Sequence, residues 1–182
     1  MVRSLLLTAL FLVACASADA QLVMNGDFEI GDLTGWSIQS GAPGVATTAP
    51  HTGIHHFYGH AYGSGGGLMW QRFATTPGAT YDLLFWSRIR TPDRRNVLIY
   101  RIDSSPVITA ITTDSYSQTL DSFTATGPST VLSFEYATGP ASLWFIDDVS
   151  VTPTPVPTPS AFALLALGGA GLLWRRRRAR KA

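Results

Sequence analysis

Cysteine is almost absent from this chain. Its 182 residues include one, Cys15, so no disulfide can form within it, and a domain working in an oxidising compartment must hold together by packing or by metal. Lysine is equally scarce, with Lys181 the sole example. Between Gln21 and Ser160 eleven acidic residues stand against six arginines, which leaves that stretch at −5 although the whole chain is formally +1. An acidic surface argues against nucleic acid or anionic lipid as a partner held by general electrostatics. The local exception is a small basic patch, Arg88, Arg90, Arg94 and Arg95, of a kind that could contact an acidic sugar. Signatures of catalysis are missing as well. No nucleophile elbow occurs, the acids are scattered over turns and strand ends instead of being paired, and Gly63-Ser64-Gly65-Gly66-Gly67 lacks the Gly-Lys-Ser/Thr ending and following helix of a phosphate loop. The chain therefore reads as non-catalytic.

Long apolar runs are confined to the two ends. At the N-terminus Arg3 precedes Leu5 to Ala14, and Ala18-Asp19-Ala20 places small residues where a signal peptidase cuts, so 1–20 reads as a signal peptide and Gln21 as the first mature residue. A rival cut exists at Leu12-Val13-Ala14-Cys15, a lipobox that would lipidate Cys15. At the other end Pro153, Pro155, Pro157 and Pro159 keep 153–160 extended and unpaired. An apolar segment, 161–174, follows, and then the basic tail 175–182 with Arg175 to Arg178, Arg180 and Lys181. Fourteen apolar residues reach roughly 21 Å as a helix, short of a hydrocarbon core of about 30 Å. Snorkelling arginine stems supply the missing length and fix the cytoplasmic end. Gly168-Gly169-Ala170-Gly171 adds a small-residue stripe where a second helix can approach closely.

This proline, apolar and basic order, with Val156-Pro157-Thr158-Pro159-Ser160 as the motif at its head, resembles the C-terminal sorting signal of PEP-CTERM proteins. In that family the usual third motif residue is Glu, where this chain has Thr158. The resemblance implies an exosortase-type membrane enzyme as partner. It also implies an inner-membrane precursor, held by one transmembrane helix with its main domain in the periplasm, that is cut near the motif and passed to the cell surface or extracellular matrix. The alternative is an unprocessed, C-terminally anchored periplasmic protein.

Residues 21–152 have the length of one domain and a strand pattern throughout. Tyr81 to Arg88, Asn96 to Ile102, Val131 to Tyr136 and Leu143 to Val151 are short runs rich in β-branched and aromatic residues, with Thr76-Pro77-Gly78, Thr91-Pro92-Asp93, Thr126-Gly127-Pro128 and Thr138-Gly139-Pro140 as turn signals between them. The expectation is an all-β, antiparallel β-sandwich.

Four pieces in order carry a second resemblance: Asn25-Gly26-Asp27-Phe28-Glu29 with Gly35-Trp36; Pro77 to Trp86; Phe123-Thr124-Ala125; and Phe145 to Val151. Together they look like the galactose-binding-like jelly rolls found among carbohydrate-binding modules. That likeness implies a jelly roll whose first and last strands pair, with a structural calcium near the seam held by Glu29 and Asp147 or Asp148. Alternation along the last strand places Phe145, Asp147, Val149 and Val151 on one face, which would bury Asp147. A buried carboxylate needs a cation or hydrogen-bond donors from a nearby loop, and both remain open here.

The likeness also implies sugar binding, which needs aromatic platforms beside polar groups. Trp86 and Arg88 share the face of their strand opposite Tyr81, Leu83 and Phe85, and Trp70 and Tyr100 are further candidates; Trp36 reads as core. The ordinary role of such rings is packing. His51, His55, His56 and His60 cluster in sequence, but His56 and His60 on one strand face stand about 13 Å apart, too far to close a zinc site alone. Two function classes follow: a non-catalytic module in contact with exopolysaccharide, and, as the rival, a secreted carbohydrate-active enzyme.

Overall fold

The computed structural model describes residues 21–61, 66–90, 97–109, 114–137 and 142–155. The signal peptide, the motif residues Val156 to Ser160, the 161–174 segment, the basic tail, and Arg94 and Arg95 lie outside these. Among the described residues there are ten strands and no helix. They are β1 (Ser37–Ser40), β2 (Gly44–Ala46), β3 (His56–Ala61), β4 (Gly67–Ala74), β5 (Thr80–Ile89), β6 (Val97–Ile102), β7 (Ser105–Thr109), β8 (Ser117–Thr124), β9 (Ser129–Ala137) and β10 (Ser142–Pro153).

Two five-stranded antiparallel sheets result, β1-β4-β9-β6-β7 and β2-β3-β10-β5-β8. Strand alternation sends one side of each sheet into the shared core. On β5, Tyr81, Leu83, Phe85, Ser87 and Ile89 are buried while Trp86 and Arg88 are partly exposed on the other face, as the sequence pattern indicates. Aromatic rings fill the middle. Phe85 meets Tyr100 and Phe134 edge-on at 5.3 and 5.0 Å, and Phe28 joins Trp36 to Phe57 at 5.8 Å each. Each such buried ring contributes about 1.5–3 kcal/mol by leaving water.

Tyr136 is fully buried on β9 and sheathed by glycine. A side-chain carbon on Gly67 would overlap its ring, and one on Gly59 would lie 2.7 Å from it, so both strands come close only because these residues lack a Cβ. Its hydroxyl has no hydrogen-bond partner among the described residues, and burial holds its pKa up at about 12.

Residues 21–26 close the sandwich against the last strand. Leu22 N–H donates to the Val151 carbonyl at 3.0 Å, Val149 N–H donates to the Gly26 carbonyl at 2.9 Å, and the Gln21 side-chain amide bonds both Val149 and Val151. Asn25 then organises the following turn. Its Nδ2 donates to the carbonyls of Asp32 and Thr34, its Oδ1 accepts from Ile30 N–H, and its own carbonyl accepts from the Trp36 indole at 3.1 Å. Trp36 is core, as expected.

The expected face of β10 is corrected by a bulge. Asp148 has a φ of 48° and the pairing with β5 shifts register between Asp147 and Ser150. An extra residue in one strand inverts the faces beyond it. Trp144, Ile146, Val149 and Val151 therefore pack in the core, whereas Phe145 and Asp147 lie on the outer face. The domain also runs past residue 152, since Pro153 pairs with Tyr81 and Thr154 N–H donates to the Thr80 carbonyl. Proline is tolerated there because it ends the ladder.

Candidate functional site

The outer face of the second sheet carries the chemistry. Alternation brings His56, Tyr58 and His60 of β3, Phe145 of β10 and Arg88 of β5 to one side, where with Arg90 they line a groove of about 400 Å³. Asp114 stands at its rim, 59 % exposed. Pairing explains this assembly: Phe145 lies opposite Tyr58 on one side and Arg88 on the other.

Arg88 is fixed by rings. Its guanidinium carbon sits 4.5 Å from the Phe145 centroid and 5.1 Å from that of Tyr116, and its Nη1 is 4.0 Å from Asp114 Oδ1. Its Nε is buried without a well-directed hydrogen bond. His56 is fully buried beside Phe145, ring centroids 5.0 Å apart, and neither ring nitrogen has a hydrogen-bond partner among the described residues. Burial, aided by the positive charge of Arg88 and by His55, lowers its pKa to about 4, so the imidazole is neutral at neutral pH. The Tyr116 hydroxyl is driven well above its ordinary range by burial and by the nearby Asp147 and Asp148 carboxylates, against the pull of Arg88, and stays protonated.

Beyond the groove a loop folds over the sheet. The His51 ring stacks on Trp86 at 3.9 Å and 19°, and Tyr116 meets it edge-on at 5.3 Å. Two neighbouring acids hold the loop down. Asp148 bonds His51 Nδ1 at 2.6 Å and accepts from the Thr52 hydroxyl at 2.7 Å, while Asp147 accepts from the backbone N–H of His51 at 2.7 Å. Asp147 is fully buried, and desolvation raises its pKa to about 6 against the opposing effect of the N–H donors of His51, Asp148 and Thr52.

The four residues named from sequence as sugar contacts thus separate. Trp86 and Arg88 share the outer face, with one side of the Trp86 ring covered by His51. Trp70 lies on β4 in the opposite sheet, beside a shallow depression of about 260 Å³ with Arg72 and Ser133. Tyr100 is a core residue, 3 % exposed, whose hydroxyl donates to Asp121 at 2.9 Å, which removes it from any ligand surface. Tyr58, Tyr116, Phe145 and Asp114 were not among the sequence candidates, and His56 was weighed there only with the other histidines as a zinc ligand. The period-two alternation of His56-Phe57-Tyr58-Gly59-His60 was a usable signal for Tyr58, but the bulge that turns Phe145 outward has no local signature.

The carboxylates expected to hold calcium are engaged otherwise. Glu29 Oε1 accepts the N–H groups of Ile54 and His55 at 2.8 and 2.7 Å, which lower its pKa, and its Oε2 lies 3.7 Å from His55 Nδ1. Asp147 takes N–H donors on both oxygens. No three histidine, cysteine or acidic side chains converge as a metal set among the described residues. In this arrangement the loop at 51–55 neutralises the acids with N–H groups, and the donor set does not fit a calcium cage.

Comparison with known proteins bears on both ends of the chain. Residues 155–178 match the PEP-CTERM protein-sorting motif, and the match runs through Thr158. The chain is thereby an exported protein carrying a surface-sorting signal. No curated protein matches the sequence as a whole. Among solved structures it is similar to a family 16 carbohydrate-binding module, at 18 % identity and a TM-score of 0.57, covering 71 % of this chain and 98 % of that one. A family 61 module solved with β-1,4-galactotriose gives 15 % identity and 0.58, covering 74 % of this chain and 100 % of that one. The CBM22-1 xylan-binding domain of Paenibacillus barcinonensis Xyn10C gives 11 % and 0.58, covering 77 % and 99 %. At these identities the likeness establishes the fold, a β-sandwich of the carbohydrate-binding-module type.

Proposed function

We propose that the sandwich is a non-catalytic glycan-binding module, a jelly roll delivered to the cell surface or matrix by its C-terminal signal, and that its ligand lies along the outer face of the second sheet. The observation that carries this reading is the groove itself, where Tyr58 and Leu143 offer apolar surface beside Arg88, Arg90 and His60, over a floor made by the buried Phe145 and His56. Apolar walls with a few converging polar groups are what sugar rings require. Modules of the same fold bind β-1,4-galactotriose and xylan. Asp114 is the single carboxylate among the groove's described lining residues, which favours binding over the rival reading of a glycoside hydrolase, whose chemistry needs two.

Sorting follows from the tail. The 161–174 segment spans the inner membrane as a helix, the domain 21–154 stands in the periplasm, and exosortase cleaves at Val156 to Ser160. Intact mass of the protein from a producing Gram-negative host, with and without its exosortase, tests this. Loss of the basic tail only when the enzyme is present is expected, whereas a tail retained in both strains would leave an anchored periplasmic protein. Tyr58→Ala and Phe145→Ala should each weaken retention on a polysaccharide affinity gel by about tenfold or more; equal retention of both variants and the parent would remove the groove from consideration.

A further inference from the structure

The ligand's charge can be argued from the same groove, on the assumption that it holds a glycan at all. Arg88 has only 17 % of its side chain exposed, its planar group is held between Phe145 and Tyr116, and the one carboxylate that pairs with it among the described residues, Asp114, is largely solvated and at the 4.0 Å limit of an ion pair. A desolvated guanidinium with so weak a counter-charge is costly unless a further anion arrives. Its unused Nε widens the gap, since a guanidinium presents its donors as a fork matched to two carboxylate oxygens. Arg90 lies two residues further along, again lining the groove, and is exposed with no ion pair to any described residue. Arg90 follows the last residue of β5, where its N–H donates to the Leu143 carbonyl at 3.0 Å, and both arginines line the same groove.

The neighbours do not supply the missing charge. His56 is neutral and its ring nitrogens are buried, so it neither adds to nor offsets the arginines. Asp147 and Asp148 are occupied by the His51 loop. In a domain whose net charge is negative, two arginines converging on one groove against a single acid among its described lining residues mark a local positive site.

We infer that the groove selects an acidic glycan, with a uronate carboxylate seated on Arg88 and Arg90 and the sugar ring against Tyr58 and Leu143. Neutral glycans lack the group that would complete Arg88. Asp114 is then a competitor for the ligand's carboxylate, and its removal should strengthen binding, a direction opposite to that expected of a residue that only supports the fold.

The test uses full-length protein purified in detergent and titrated calorimetrically with polygalacturonate, alginate and glucuronoxylan oligosaccharides, each beside its carboxyl-reduced form. At least one acidic oligosaccharide should bind about tenfold or more tighter than its reduced counterpart, with affinity falling as salt rises. Asp114→Asn should tighten that binding, Arg90→Gln should weaken it, and Arg88→Lys, which keeps the charge but loses the fork, should weaken it while leaving the melting temperature within a few degrees of the parent. Equal binding of acidic and reduced forms would overturn the acidic preference and leave the glycan groove standing. Binding of none of them, by a protein that melts cooperatively, would overturn both.

Discussion

The imidazole of His51 lies face to face on the indole of Trp86, 3.9 Å between ring centres, and is pinned there by Asp148 at 2.6 Å. One stacked pair thus ties the loop before β3 to the middle of β5. His51→Ala should cost about 0.5–1.5 kcal/mol of stability. In a comparison with Trp86→Phe, the same change should also make Trp86 fluorescence more open to acrylamide quenching. Quenching identical to the parent would show that His51 does not cover the ring in solution.

Two buried groups on this face should oppose each other as pH changes. Asp147 has its folded pKa raised from 3.8 to about 6, so the folded state binds the extra proton, and its contribution is full below about 4 and lost as pH rises through 6. His56 has its folded pKa lowered from 6.5 to about 4, so its contribution is full above 6.5 and lost as pH falls through 4. Similar shifts of opposite sign should leave the parent's urea midpoint nearly flat between about pH 4 and 6.5 as far as these groups decide it. His56→Phe should uncover a midpoint that falls with rising pH, and Asp147→Leu one that rises. Parallel profiles for the two variants would contradict the assignment.

Tyr136 should be more useful to the fold without its hydroxyl. The oxygen is buried and unpartnered, so Tyr136→Phe is expected to be neutral or stabilising. Gly67→Ala, which drives a methyl into the same ring, should cost about 1–3 kcal/mol or more. Because the clash includes the hydroxyl, the cost should shrink in the Tyr136→Phe background, and a double-mutant cycle by chemical denaturation measures that coupling. Strict additivity would mean the two residues do not touch.

Metal removal should do little. Glu29, Asp147 and Asp148 already have N–H or side-chain partners from the 51–55 loop, so chelation with EDTA should leave the melting temperature within about 2 °C, less than a shift of 1 kcal/mol would produce. A rise of several degrees on adding calcium would show that the loop gives up its bonds to these acids for the ion.

The sandwich was legible because its strands obey a period of two. Tyr81 to Arg88 and Val131 to Tyr136 show in sequence which rings are core, and Trp86 and Arg88 fall on a shared outer face as that pattern requires. Tyr100 misled because an aromatic on an alternating strand carries no mark of which sheet face is interior; that is set by partners distant in sequence, here Phe85 and Asp121. Phe145 and Asp147 misled for a different reason. Their orientation depends on one residue, Asp148, adopting a positive φ, which aspartate can do but which nothing in Ile146-Asp147-Asp148-Val149 announces. The 51–55 loop was invisible as a cover because its bonds to Asp147 and Asp148 join residues 96 or 97 positions apart in sequence.

The pairing of Gln21 and Leu22 with Val149 and Val151 places the chain's point of entry beside its point of exit. β10 leaves the groove at Phe145 and reaches Pro153 eight residues later, about 26 Å along a strand. Whatever tethers the chain beyond Thr154 therefore pulls on the pole of the domain remote from the groove. Held by that end, the module points its open face outward like a hand at the end of a forearm, and a load applied there passes down β10 in shear, across its ladders to β3 and β5, the geometry in which a sheet resists being pulled apart.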